Sequence, residues 1–466
     1  MIRPLFSIKT HTKNRLSALF GIAFLLCSSC VQVPERSLEP LPLPDQFSMS
    51  GNIAANNQWW IDFEDPQLTA LIERALTNNF SLLIAKSRLS EARATAKQAG
   101  AQLIPSVDGL TKARTTRDYQ TDKTSNSFLL EFAASYEIDL WGRLAAIQDA
   151  AILETQATEA DLQTATISIA AEVTTTWFDI LANWQQMHLL NKQKELNERV
   201  LELIKLQFRV GRAGAPDVLQ QQQLIESSHT ELAGLRRNQQ ILAHQLALLL
   251  GEVPGIYKIP EISKLPILPA LPTTGIPLDL LKDRPDVKGS FFRLRAADKR
   301  LATAIANRYP QLSISADLYS SGEQTNQLFK NWFTSLAANL TGPIIDGGHR
   351  KAEVEKREAA SEQLLHKYGQ ITLQAISEVE DALIKEDEQY RIIDSLKIRL
   401  KLAAQTIDHV AIRYRHGSED YQRVLLALLS HQGLQRNIIE ARLRLANNRI
   451  TLYRALGGSI VPAESK

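Results

Sequence analysis

Chemistry needs reactive side chains brought together, and this chain offers few places for it. Its nine histidines are scattered, and none stands at metal-ligand spacing with a second histidine and carboxylates. No Gly-rich phosphate loop or nucleophile elbow occurs. The acids Glu378, Glu380, Asp381, Glu386, Asp387 and Glu388 read as a solvated helix face, one that could line a tunnel. No catalytic residue, metal ligand or cofactor is expected. One covalent site is marked: Ser28 and Ser29 precede Cys30, and small residues before a cysteine let a lipoprotein signal peptidase cut. The other polar clusters sit at two glycine turns, "FRVGRAGAPDVL" at Gly211 and "YRHGSEDYQRVL" at Gly417.

The N-terminus supports the lipid site. Arg3, Lys9, Lys13 and Arg15 form a basic region, followed by an apolar run from Leu16 to Leu26 that is too short to span a bilayer as a helix. Residues 1–29 read as a signal peptide, although Cys27 sits where the pattern prefers Leu. Cys27 would leave with it, so the mature chain has no disulfide and its one thiol carries lipid. The Pro-rich "VQVPERSLEPLPLPDQF" then forms an extended tether. A net charge of +2 over 466 residues argues against a polyanion, hence no nucleic acid partner. No second stretch approaches the 18 apolar residues that a membrane helix needs.

The elements that position these groups come in two copies. "NFSLLIAKSRLSEARATAKQAGAQLIPSV" lies on "RPDVKGSFFRLRAADKRLATAIANRYPQLS" at an offset of 205, pairing Arg88 with Arg293 and Pro105 with Pro310. Gly142, Gly211 and Gly251 then pair with Gly348, Gly417 and Gly457 at an offset of 206. The chain is a tandem duplication.

Each copy holds a strand hairpin. Phe128, Leu130, Phe132, Ala134, Tyr136, Ile138 and Leu140 alternate with Glu131, Ala133, Ser135, Glu137 and Asp139, a period of two. The second copy sets Leu312, Ile314, Ala316 and Leu318 against Ser313, Ser315 and Asp317, then Trp332, Leu336 and Leu340 against Ser335, Asn339 and Thr341. The segments are about as long as a tilted transmembrane strand. Two hairpins give four strands, too few to close a barrel, and an open sheet in lipid leaves backbone groups unpaired. Three chains would close a barrel of about 12 strands with the polar faces lining water.

The helices are long. No proline interrupts Gly142 to Gly211, and the 68 residues between them would make a rod of about 100 Å. The stretch from Gly348 to Gly417 matches it, with Gly369 inside. Shorter helices are expected at Asn79–Leu103 with Pro216–Leu250, and at Pro285–Asn307 with Asp420–Leu456, each pair stacking end to end beside a rod.

"WWIDFEDPQLTALIERALTNNFSL", "ASYEIDLWGR", "FRVGRAGAPDVLQ", "DRPDV", "GPIIDGG" and "YRHGSEDYQRVL" together resemble the outer membrane factor family, the TolC/OprM/NodT-type efflux lipoproteins. The resemblance runs from about Trp59 to Gly457. It implies a mixed α and β membrane protein, a homotrimer. Its 12-stranded transmembrane β-barrel would take four strands from each chain and continue into a periplasmic α-helical barrel with an equatorial domain. The expected division is a signal peptide (1–29), a lipidated tether and equatorial part (30–78), repeat 1 (79–250), an equatorial linker (251–284), repeat 2 (285–456) and a tail (457–466). Strands fall at about 104–141 and 309–346, and long helices at 142–211 and 347–417. Gly142, Gly347 and Gly348 mark the strand-to-helix junctions.

The resemblance places adaptor docking and the closed pore end at the two glycine turns. Arg209, Gly211, Gly214 and Asp217 belong to the first; Arg415, Gly417, Asp420, Tyr421 and Val424 belong to the second. Leu426 stands where some relatives carry an acidic aperture residue. Arg209, Arg415, Asp217 and Asp420 put opposite charges near the turns and are expected to latch neighbouring helices. The implied function is the exit duct of a tripartite efflux pump. It would work with a periplasmic adaptor and an inner membrane transporter of resistance–nodulation–division type, and sit in outer membrane lipid. A type I secretion duct and a coiled-coil envelope scaffold are the competing readings. Mass spectrometry of the mature N-terminus should find a diacylglyceryl group on Cys30; an unmodified Cys30 overturns the lipid site.

Overall fold

The duplication in sequence is a duplication of elements in a computed structural model that describes residues 44–51, 58–256, 259, 264–277 and 282–457. The signal peptide and Cys30 lie outside the described residues. A 3-10 turn, Trp59–Phe63, and helix α1, Pro66–Asn78, come first. The first copy runs α2 (Phe80–Ala101), β1 (Ser106–Asp118), β2 (Lys123–Ile138), α3 (Arg143–Arg209) and α4 (Ala215–Leu249). The second runs α5 (Pro285–Ala306), β3 (Gln311–Gly322), β4 (Trp332–Thr341), α6 (His349–Arg415) and α7 (Tyr421–Ala455). Corresponding helices have identical lengths of 22, 67 and 35 residues, so the repeat is conserved most strictly where a rod must match a rod. Among the described residues no helix is long and apolar enough to cross a membrane.

Residues 89–158 and 289–369 form one compact unit, which contains the sheet. Its strand order is β1-β2-β3-β4, all antiparallel. The register keeps the faces separate: Phe132 pairs with Leu318, Tyr136 with Ile314, Ile138 with Leu312, and Ala316 with Leu336. The adjacent rows pair Ala133 with Asp317 and Asp317 with Ser335, whose hydroxyl donates to the carboxylate at 2.8 Å. A slip of one residue would exchange the two faces entirely. On β1 the apolar face is thin, and the Phe132 ring lies over Gly109 and fills it.

The strand-to-helix junctions are built from local hydrogen bonds. Gly142, Gly347 and Gly348 have φ of 70°, 64° and 86°, a left-handed turn that L side chains resist. Asp139 Oδ2 accepts from the Ala145 N–H at 2.8 Å, and Asp346 accepts from Gly348 and Arg350 N–H groups at 3.0 and 3.2 Å. Each carboxylate thus satisfies a free donor in the first turn of a long helix. Arg143 grips Glu137 with two bonds, at 3.1 and 2.7 Å, and the Trp141 indole donates to the Pro310 carbonyl at 2.7 Å while stacking on Tyr309. Further along the same unit, Lys299 reaches Asp149 and Arg300 reaches Glu154, tying α5 to α3.

The second unit takes in the described parts of 40–88, 159–288 and 370–466. Its core explains "WWIDFEDP". Trp59, Trp60 and Phe63 are buried with Trp177, Phe178 and Tyr453, and Trp59 stacks on Tyr453 at 5.3 Å. The two acids are structural. Asp65 caps α1 through the Gln67 and Leu68 N–H groups and accepts from the Trp177 indole at 2.8 Å; Asp62 accepts from the Tyr453 hydroxyl at 3.0 Å. Burial and then the Asp62 carboxylate push that hydroxyl up to about 12, so it stays a donor. Helix α1 is an element that the sequence pattern did not separate from the tether.

The short helices meet end to end through different side chains in the two copies. Asn79 Nδ2 donates to the carbonyl of Leu249, the last residue of α4, while its Oδ1 caps α2 at Ser81 and Leu82. At the matching position Arg284 donates to the carbonyl of Ala455, the last residue of α7, and is held by Asp286 and Glu378. Gly251 is required beside the first splice, since a Cβ there would lie 2.4 Å from the Asn78 carbonyl oxygen.

One ion pair is deeply buried, and it takes Glu386 out of the acidic face expected to be solvated. Arg449, 1% exposed, donates twice to Glu386 and also to the Pro269 and Ala270 carbonyls at 2.8 and 3.0 Å, pinning the inter-repeat linker to α6 and α7. Burial works against the guanidinium, but Glu386 outweighs it and raises the Arg449 pKa. Removing one partner leaves a buried unpaired charge, which costs about 3–5 kcal/mol. Arg449→Met should therefore lower the thermal midpoint of the detergent-solubilised protein strongly. Arg449→Met with Glu386→Leu should recover much of the loss, and an unshifted single variant would contradict the pair's role.

Candidate functional site

The two glycine turns have one geometry. Gly211 donates to the Phe208 carbonyl and Arg212 to Gln207; Gly417 donates to Tyr414 and Ser418 to Arg413. Both glycines have φ of 75°, the left-handed cap that ends a helix with its carbonyls satisfied. The following helices start with an aspartate used in two ways. Asp217 reaches back to the Gly214 N–H at 2.8 Å, from inside the first turn of α4. Asp420 is itself the cap of α7 and accepts from the Arg423 N–H at 3.0 Å. Acids here also meet the positive end of the helix dipole.

Three of the four charges expected to latch helices are engaged locally. Within the chain Asp217 and Asp420 cap their own helices, and Arg415 donates to the Ala411 carbonyl of its own helix. Glu419 collects the nearby cations instead, Arg413 at 3.3 Å and Arg423 at 3.4 Å. Arg209, Gly211, Gly214, Arg415, Gly417 and Asp420 are exposed, and Val424 is half-buried. Leu426, at 59% exposure, presents an apolar side chain to solvent.

Tyr421 is the expected tip residue that joins helices, and it has companions the sequence reading passed over. Its hydroxyl donates to Gln221 Oε1, and the Tyr414 hydroxyl donates to Gln207 Oε1. The two tyrosine rings tilt against each other at 5.9 Å. From Gln221 a chain of buried amides continues between the hairpins. Gln221 Nε2 donates to the Asn197 carbonyl at 2.7 Å, and Gln432 Nε2 donates to Asn197 Oδ1 at 2.9 Å. Gln193 Nε2 donates to Gln435 Oε1 at 2.8 Å, and Gln193 Oε1 accepts from Arg436 at 2.8 Å.

Asn197, Gln221, Gln432 and Gln193 are almost wholly buried, and each amide uses both its oxygen and its nitrogen side. A fully satisfied polar network of this kind sets one register between packed helices. Burial, then Tyr414 and Asp217, raise the Tyr421 pKa, which keeps its hydroxyl a donor. The available signal was Gln193 and Asn197 at helical spacing, with Gln221 and Gln432 on stripes otherwise apolar. Among the described residues no cluster could hold a metal ion.

The comparisons accord with this architecture. The profile of the family described as outer membrane efflux protein matches residues 71–252 and 276–458, one stretch per copy. The pyoverdine export outer membrane protein OpmQ of Pseudomonas aeruginosa is 30% identical over 94% of this chain and 95% of its own. Nodulation protein T of Rhizobium leguminosarum bv. trifolii is 27% identical over 94% of this chain and 96% of its own. The open-state structure of the Neisseria gonorrhoeae MtrE outer membrane channel matches with a TM-score of 0.82, covering 92% of this chain and 99% of that one at 24% identity, and shares the fold. Amphipathic hairpins joined to paired long helices are thus the shared architecture. The chain belongs to the outer membrane efflux protein family.

Tyr421→Phe strands the buried Gln221 oxygen, a local cost of about 1–3 kcal/mol. The variant should show higher single-channel conductance and admit a large hydrophilic antibiotic to producing cells. Arg415→Gln with Asp420→Asn should change both readouts less. The reverse order would favour the charged residues over the Tyr421 network.

Proposed function

We propose that three copies of this chain close their sheets into one barrel of about twelve strands, the outer membrane exit duct of a tripartite efflux pump. One observation carries the reading: in a chain of this family, an amphipathic sheet ends in two edge strands, β1 and β4. In hydrocarbon each unpaired backbone group costs several kcal/mol, and pairing β4 of one copy with β1 of the next removes both edges. The face carrying Glu131, Ser135 and Asp317 then lines water, and the face carrying Leu130, Leu318 and Leu336 meets lipid.

Cys30 adds a lipid anchor. The tips carry the docking surface for a periplasmic adaptor and the gate: Arg209, Gly211, Gly214 and Asp217 on one side, and Arg415, Gly417, Asp420, Tyr421, Val424 and Leu426 on the other. The duct itself is passive and does no catalysis. Energy comes from an inner membrane transporter of resistance–nodulation–division type, coupled through the adaptor. Kinship with a pyoverdine export protein supports a solute cargo over a secreted protein.

The purified protein should have the mass of three chains by light scattering and conduct in planar bilayers; a non-conducting monomer overturns the reading. Leu336→Arg, on the lipid face, should cost about 2–4 kcal/mol of barrel stability near mid-membrane. Ser135→Arg should fold and shift ion selectivity. Equal damage at the two positions would reject the facing assignment.

A further inference from the structure

The strand register sets two aromatic rings among the carboxylates. Tyr319 pairs with Phe333 across β3 and β4, and their rings stack at 5.3 Å and 22°. Both share the face of Asp317 and Ser335, whereas the neighbouring Trp332 lies on the apolar face with Leu336 and Leu340. Parity therefore rules the stacked pair out of the interfacial aromatic girdle that outer membrane barrels turn toward lipid. The direct partner of Tyr319 on β2 is Glu131, and Asp317 occupies the next row of the same face. The row across the sheet is thus Leu110, Glu131, Tyr319 and Phe333. Phe333 remains about half exposed, at 49%, so the pair leaves a ring surface open.

We propose that Tyr319, Phe333 and Glu131 form a binding station for flat aromatic cations on the water-lining face of the sheet. The inference rests on the exit-duct reading, which makes that face the pore wall. A planar cation laid on the open Phe333 surface extends the stack and its charge meets the aromatic quadrupoles, while Glu131, beyond Tyr319 in the same row, adds a weaker, longer-range attraction. A neutral polar wall offers such a solute no ring face to stack on, and an apolar wall would not attract its charge. Exposed cation–π contacts are weak, which suits a duct: the solute must be held briefly and then leave. In the proposed trimer three stations ring the lumen, close to the turn joining β3 and β4.

The test uses the intact protein in planar bilayers with ethidium added on the side of the β-hairpin turns. Wild type should show concentration-dependent block. In Tyr319→Ser/Phe333→Ser the half-blocking concentration should rise about fivefold. Tyr319→Leu/Phe333→Leu keeps apolar bulk without ring faces and should show the same rise, which covers a folding defect in the serine variant. Glu131→Gln should also weaken ethidium block. Trp332→Ser, on the opposite face, should not. Unchanged ethidium block in both ring variants, or an equal effect of Trp332→Ser, overturns the station. Wild-type channels that ethidium does not block sink the station alone, and absence of any wild-type channel sinks the duct reading beneath it.

Discussion

A sheet in hydrocarbon cannot keep its edges, and the rest of this chain is organised around that constraint. Water would satisfy the outer N–H and C=O groups of β1 and β4; lipid does not. The four strands are therefore a fraction of a structure, and the proposed barrel exists only as an assembly. The same constraint accounts for the strict alternation on β2 and β3, where Phe132, Leu318, Ala316 and Leu336 hold one face across three strands. It also accounts for the abrupt junctions: once a strand ends at Ile138 or Thr341, a short turn and a carboxylate cap begin a helix that satisfies its own backbone.

Helices of 67 residues bring the opposite difficulty, because their backbone needs are met internally while their lateral packing must be supplied by something else. The shorter helices supply it only if they act as rods themselves. Asn79 and Arg284 make this possible, each joining the start of one short helix to the final carbonyl of another. That one copy uses a neutral amide and the other a guanidinium held by two acids shows what duplication conserves. The bond at the splice is kept; the side chain that makes it is free to change. The Trp59, Trp60 and Phe63 core and the buried Arg449–Glu386 pair then fix the non-repetitive segments onto these helices.

The helix ends at Gly211 and Gly417 carry another kind of interaction. Tyr421, Gln221, Asn197, Gln432 and Gln193 form a buried network with both sides of each amide used, so separating the helices exposes several polar groups together. Such contacts specify one arrangement without binding it irreversibly, because water can replace each hydrogen bond when the helices part. Asp217 and Asp420 at the turns cap their own helices, while the buried amides bond from one helix to another.

Periodicity and punctuation alone determined the duplication, the four strands, and the helix ends at Gly142, Gly211, Gly348 and Gly417. These are local properties, written in alternation of two, in runs without proline, and in glycines that tolerate positive φ. Helix α1 escaped that reading because its capping Asp65 and buried Leu68 and Ile72 fall within 30–78, a stretch read as tether and equatorial part without separate elements. The partners of buried polar groups were decided only in three dimensions. Nothing in the spacing of Asp217, Asp420, Arg209 and Arg415 says that the acids will cap their own helices. Nothing in the sequence brings Gln221 to Tyr421 across 200 positions or Arg449 to Glu386 across 63. Hydrogen bonds between distant segments depend on which faces meet after packing, and a one-dimensional pattern records only which face is apolar.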